Sequence, residues 1–271
     1  MPEDISKLSP AIPIKNTGLI KVGNTIKITN KILEEHSKRQ LVTKFKSVVI
    51  GTQEWMTENL SVKFFRNGDP IPVAKTKEEW TKAGRTGQPA WCYYDNKSAN
   101  GKIYGKLYNW YAVNDGRGLA PKGWHIPNID EWRILVDYLI ASDFNFEGTS
   151  IGRKIAKSLA AKAGWKEDFI QSGNVGNDLS KNNKTGFSAL PGGSRNGNGT
   201  YQSAGSFGYW WSSESFKRDY GNISNHYFAN MDLDLDYYNR SWCRFMYYND
   251  GGLSGTSHNR DSGFSVRCLK N

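Results

Sequence analysis

The chain has 271 residues, 38% hydrophobic and 13% aromatic, with a formal net charge of +10. This composition excludes a disordered chain, which would be poor in aromatics, and a membrane span, for which no stretch is apolar enough. Its apolar material is concentrated in rings, enough to build one large domain or two small ones, and its cations are spread without the compact basic element of a specific nucleic-acid binder.

Residues 1–46 are polar and Lys-rich, contain three Pro and lack Trp. They read as an accessory or attachment segment, with Gly23-Asn24 turning between two short strands. The N-terminus shows no basic region followed by an apolar stretch, so no signal peptide is expected. The main domain is expected over 47–271. Residues 48–56 predict a strand, a tight turn and a second strand; Asn67-Gly68-Asp69-Pro70 predicts a turn.

Residues 76–83 predict a short helix capped by Thr76, with Glu79 three positions on. Residues 90–94 predict a strand, and 106–113 either a strand or a buried helix. The clearest helix follows Pro127: Asn128 caps it, Glu131 sits three residues later, and Ile129, Trp132, Leu135, Val136 and Leu139 repeat at helical spacing. A second, Lys-rich helix is expected over 152–163. The Gly- and Asn-rich stretch 173–208 predicts long loops, anchored by the aromatics around them. Residues 209–268 predict short strands joined by polar turns. The expected class is α+β, with two main helices on irregular, short-stranded sheet.

The last quarter is compositionally distinct: of residues 219–262, six are Asn, six Asp and six Tyr. Tyr gives large contact area at low entropy cost and Asn gives adaptable hydrogen bonds, the mixture binding loops use. Tyr237, Tyr238, Asn239, Arg240 and Trp242, with Tyr247, Tyr248, Asn249 and Asp250, are the preferred recognition elements, because Tyr, Trp and Arg anchor interfaces and also stack on sugar rings. Tyr220, Asn222, Asn225, Tyr227, Asn230 and Asn259 would extend the same surface. The plainer alternative turns alternate aromatics inward and leaves Asn to make turns.

Asp232, Asp234 and Asp236 alternate with apolar residues, so a strand would put three carboxylates on one face. Hard carboxylates suit Ca²⁺, although the spacing is not that of an EF-hand; a solvated or ligand-facing strand is the simpler reading. Cys92, Cys243 and Cys268 match no zinc spacing, and three thiols leave at least one unpaired. His125, between Trp124 and Ile126, reads as a hydrogen-bonded core or near-core histidine. Trp210-Trp211 reads as scaffold, and Arg195 and Arg267 as ties between loops and backbone carbonyls. Gly192-Gly193 marks a bend, without the Lys-Ser/Thr ending of a phosphate loop. No Ser-His-Asp order carries a hydrolase elbow, so no enzyme is expected.

Several blocks together resemble the Fibrobacter succinogenes major paralogous domain. They begin with Val49-Ile50-Gly51-Thr52-Gln53-Glu54-Trp55-Met56-Thr57-Glu58-Asn59-Leu60 and Arg66-Asn67-Gly68-Asp69. Next come Gly105-Lys106-Leu107-Tyr108-Asn109-Trp110-Tyr111-Ala112-Val113, then Gly123-Trp124-His125-Ile126-Pro127 with Glu131-Trp132. The later ones are Gly186-Phe187-Ser188-Ala189-Leu190-Pro191-Gly192-Gly193-Ser194-Arg195, Gly208-Tyr209-Trp210-Trp211-Ser212-Ser213 and Gly263-Phe264-Ser265-Val266-Arg267-Cys268.

The resemblance implies a fold similar to formylglycine-generating enzymes, an elaborated C-type lectin-like domain. That fold also serves hypervariable ligand-binding proteins of diversity-generating retroelements, whose mutated codons drift toward the residue types of 219–262. Family members often carry a Cys, where this chain has Ala120, that pairs with the C-terminal Cys; Cys268 is then free, or pairs with Cys92 or Cys243. This departure and the missing signal favour a cytoplasmic or phage-associated context over a secreted one. The formylglycine-generating enzymes hold copper with two cysteines, which makes Cys243 and Cys268 the place to look for an oxidase. The expected function is non-enzymatic recognition of a protein or glycan ligand. The alternatives are a display module of a surface or phage assembly and a metal-dependent oxidase.

Overall fold

The computed structural model describes residues 45–146, 154–216 and 239–271, all within one unit, Phe45–Asn271. The expected attachment segment lies outside them, apart from its last two residues. Strands β1 (Ser47–Ile50) and β2 (Gln53–Met56) form the expected hairpin. Strands β3 (Trp91–Cys92) and β4 (Leu107–Tyr108) pair with each other. The C-terminal strand β11 (Leu269–Lys270) lies between β2 and β5 (Trp124–His125), which gives a four-stranded antiparallel sheet ordered β1-β2-β11-β5. The start and the end of the domain are thus tied by one ladder.

Helix α1 (Lys77–Arg85) has the Thr76/Glu79 capping box its sequence promised. α2 (Ser98–Tyr104) follows a 3₁₀ turn at Tyr94–Asn96. That turn limits the strand expected over 90–94 to two residues, because Asp95 takes a φ of 52° that no strand accommodates. The ambiguous stretch 106–113 is both things in turn: β4, then the single-turn α3 (Trp110–Val113) capped by Asn109.

α4 (Ile129–Ala141) has the Asn128/Glu131 capping box and buries Trp132, Leu135, Val136 and Leu139. His125 contacts Asn271 Oδ1 and Glu131 Oε1, each at 2.8 Å, and so joins the sheet to the start of α4.

The helix expected over 152–163 is a single turn, α5 (Ala156–Leu159). Ala160 turns extended, and the Ala189 amide donates to Leu159 O while Ala161 donates to Ala189 O. Long-range backbone pairing there overrides local helix propensity. Residues 151–153 lie outside the described residues. The two longest described helices are therefore α1 and α4.

Short strands β6 (Ser194–Arg195) and β7 (Tyr201–Gln202) pair ahead of a three-stranded sheet ordered β10-β9-β8. Its strands are β8 (Phe207–Ser215), β9 (Arg240–Tyr247) and β10 (Ser254–Asn259). Neighbouring side chains in a strand point to opposite faces, yet Trp210 and Trp211 are both fully buried. Each face is covered by its own cluster. Trp210 and Met246 meet Trp55, Trp132, Leu135 and Phe187; Trp211 and Cys243 meet Tyr108, Trp110, Phe264 and Cys268.

The long loops are pinned by the expected aromatics, with Trp165 Nε1 donating to Ala189 O and Phe187 buried in the core, and by buried polar side chains as well. An indole has one donor, whereas irregular backbone leaves many carbonyls to satisfy. Arg195 donates to Gly199 O, Ala74 O and Thr76 O, its guanidinium 4.7 Å from both the Trp80 and Tyr201 rings. Lys157 donates to Asn174 O, Asn177 O and Asp178 O. Arg267 reaches Met56 O, Phe187 O and Ser188 O.

Candidate functional site

Two open clefts sit at the end of the three-stranded sheet where β9 begins and β10 ends. Arg240 pairs with Asn259 in register. Beyond it, Phe216 donates its amide to Arg240 O at 3.0 Å and Arg260 donates its own to Asn239 O at 2.8 Å. Phe216 and Asn239 are also the residues from which the chain enters and leaves 217–238, so the Tyr/Asn/Asp-rich stretch is joined to the fold at this end.

The first cleft, about 500 Å³, is lined by Trp110, Asn114, Ser213, Glu214, Ser215 and Arg260. Arg260 lies 4.6 Å from the centroid of the Trp110 ring and donates to Ser241 Oγ at 3.2 Å. Trp110 is itself fixed: its amide donates to Arg260 O and its indole to Ser212 O. The stacked guanidinium therefore sits on a rigid support.

The second cleft, about 440 Å³, has Arg240, His258, Asn259 and Asp261 on one side and the 196–198 loop on the other. Arg240 donates to Ser257 Oγ at 3.0 Å, to Ser257 O and to Asn259 Oδ1 at 3.4 Å. Tyr111 donates its hydroxyl to Asn239 Oδ1 at 3.0 Å. Burial, helped by the charge of Arg240, lowers the pKa of His258, so its ring is neutral at pH 7. The loop approaches closely because position 197 is Gly: a Cβ there would fall 2.1 Å from Asp261 Oδ2. Among the described residues neither Arg240 nor Arg260 has a carboxylate at ion-pair distance. Among those residues both cations are held in place by neutral groups.

The expected recognition residues divide into separate places. Asn239, Arg240 and Asn259 come together at the clefts. Trp242 is half-buried two residues along β9, edge-on to Phe216 at 5.0 Å. Tyr247 stacks on Phe207 at 4.1 Å, Phe207 on Tyr209 at 5.4 Å and Tyr209 on Phe264 at 4.7 Å. This ladder covers one face of Tyr247 and both faces of Phe207 and Tyr209. Tyr248 packs edge-on against Tyr247, with Lys166 Nζ 4.8 Å from its ring centroid. Asn249 and Asp250 are exposed in the turn after β9, where Asp250 Oδ1 accepts from Gly252 N.

Tyr220, Asn222, Asn225, Tyr227, Asn230, Asp232, Asp234, Asp236, Tyr237 and Tyr238 lie outside the described residues, and with them the proposed Ca²⁺ carboxylates. Trp110, Glu214, His258, Arg260 and Asp261 line the clefts without having been singled out for the site. A local pattern could at most have flagged Arg260-Asp261 beside Asn259; the placement of Trp110 under Arg260 is a long-range contact.

The three cysteines are free and buried. Burial pushes the Cys268 thiol up to about 12 and raises Cys92 and Cys243 as well. Among the described residues no group of three or more His, Cys, Asp or Glu is placed to hold a metal ion, and no helix is long and apolar enough to cross a membrane.

Compared with curated proteins and with solved structures, the chain has no significant match to either. The model of the Fibrobacter succinogenes major domain matches residues 48–270, so the chain belongs to that family.

Proposed function

We propose that this domain is a non-enzymatic recognition module that binds a protein or glycan ligand at the Arg240/Arg260 end of its three-stranded sheet. The scaffold, on this reading, is the elaborated C-type lectin-like, formylglycine-generating-enzyme-like fold. One observation carries the reading. Two guanidinium groups, each oriented by hydroxyl, amide or carbonyl oxygens and one by an indole face, line adjacent clefts without a carboxylate partner among the described residues. Such groups are preorganised for hydroxyl-rich or acidic ligand surfaces. The buried thiols, held neutral, are poor metal ligands and poor nucleophiles, which argues against oxidase chemistry.

Binding of the full chain to an array of neutral and acidic glycans, and to intact bacterial surfaces, tests this reading. Arg240→Ala with Arg260→Ala should lower binding at least roughly tenfold, the loss expected for removing charged interface anchors, with the thermal midpoint little changed. Equal binding by the double variant would sink it. Retroelement diversification of 219–262 belongs to the same proposal. A template copy in the flanking DNA that differs mainly at adenines, beside a reverse transcriptase, is its expected trace.

A further inference from the structure

At the other end of β9 the loop after Trp165 presents an apolar tip. Phe169 is 84% exposed and Ile170 82%, the most exposed of the large hydrophobics described. Their neighbours in the chain, Lys166, Glu167, Gln171 and Ser172, are polar and exposed.

The backbone beneath the tip is fixed. Asp168 is buried, and its Oδ2 accepts from Gln171 N at 3.3 Å and Asn174 Nδ2 at 2.9 Å. Asn177 Nδ2 donates to Asp168 O, and Asp168 N donates to Gly176 O. Gly176 N donates to Tyr248 O at 2.6 Å. A Cβ on Gly176 would lie 2.3 Å from Lys166 O, so the loop closes only around glycine. The fold thus holds two large apolar side chains in water on a braced platform.

We infer that Phe169 and Ile170 form a lipid-docking tip that inserts into the interface of an anionic membrane. Two side chains offer on the order of 300 Å², well under the roughly 800 Å² per partner of a stable protein interface. A bilayer interface asks for no matching surface, only apolar groups that reach it and cations that stay at the headgroups. Lys162 and Lys166 are exposed just ahead of the tip, and the chain carries +10, the charge that anionic headgroups attract. The eight residues of β9 separate the tip from the Arg240 clefts by about 25 Å at 3.3 Å per residue. The inference does not depend on what they bind.

The test is co-sedimentation of the full chain with phosphatidylcholine vesicles, with and without phosphatidylglycerol. The chain should pellet with the phosphatidylglycerol vesicles and be released by salt. The double variant Phe169→Ser/Ile170→Ser should lose at least roughly tenfold in apparent affinity and keep its thermal midpoint, since both positions are exposed. Lys162→Glu should weaken binding while leaving the tip intact. The inference is overturned if the wild-type chain stays in the supernatant or if the double variant binds as well. It is also overturned if the tip drives a concentration-dependent dimer instead of vesicle binding.

Discussion

Asn59 Oδ1 accepts from Arg267 Nε at 3.3 Å and Nη2 at 2.9 Å, across 208 residues of sequence. The same oxygen accepts from Trp210 Nε1 at 2.9 Å, while Asn59 Nδ2 donates to Tyr104 O and Ser265 Oγ. Arg267 is fully buried against Phe187, 4.5 Å from its ring centroid. Burial pulls its pKa down to about 9, and a guanidinium still carries its charge at neutral pH. The first, fifth, sixth and seventh of the family-like blocks supply Asn59, Phe187, Trp210 and Arg267. Four of the seven blocks thus meet in one buried network.

Asn59→Ala should destabilise the domain by about 3 kcal/mol, because it leaves the Arg267 and Trp210 donors unpaired in the core. Arg267→Lys should fail nearly as badly, since an ammonium cannot span Met56 O, Phe187 O and Asn59 Oδ1 as a planar fork does. Urea unfolding of the two single variants and the double should show strong coupling. Additive losses would mean that the network is not a unit.

Lys157 makes a second, local claim. Its Nζ reaches the Asn174, Asn177 and Asp178 carbonyls, and burial lowers its pKa. Lys157→Met keeps the stem and removes the donors. Hydrogen exchange should then speed up at the amides of Val175, Gly176 and Asn182 and stay unchanged in the β1–β2 hairpin. Uniform acceleration across the domain would show that Lys157 serves global stability instead of this loop.

The fold is most legible in the sequence where local chemistry decides. Thr76/Glu79 and Asn128/Glu131 are capping boxes in the chain and in the fold, and the Trp132–Leu139 stripe faces the core as its spacing requires. It is least legible where distant strands decide. The 152–163 helix stops at Ala160 because Ala189 pairs there. Arg240 and Asn259 were named for a shared surface, and β9–β10 pairing places them side by side. Trp110 under Arg260 depends on contacts that no single sequence displays.

His258 should make stability pH-dependent. Its ring packs edge-on to Tyr209 at 5.7 Å and Phe264 at 5.1 Å, with Arg240 and Asp261 in the same cleft. Burial first, then the Arg240 charge, depress its folded pKa below the usual 6.5. Between the folded and unfolded pKa values the unfolded chain binds more protons. The stability contribution is therefore complete above pH 6.5 and is lost as pH falls through the folded pKa. Thermal midpoints measured between pH 7 and pH 5 should fall more steeply for wild type than for His258→Gln. Parallel slopes would place the titration elsewhere.

Gly84 in α1 gives a prediction whose sign separates packing from propensity. By propensity alone, Gly→Ala inside a helix stabilises by roughly 1 kcal/mol. Here a Cβ would lie 2.7 Å from Asp261 Cβ, an atom next to the backbone that a rotamer change cannot move aside. Asp261 is confined further, because its carbonyl accepts from Trp80 Nε1 at 3.0 Å and Gly197 closes on its carboxylate. Gly84→Ala should therefore push α1 off the β10–Asp261 corner. It should lower the thermal midpoint by several degrees, the shift of a 1–2 kcal/mol overpacking loss at about this size, and weaken ligand capture through the displaced Asp261. A raised midpoint would show that the helix moves freely and that the second cleft is not braced from α1.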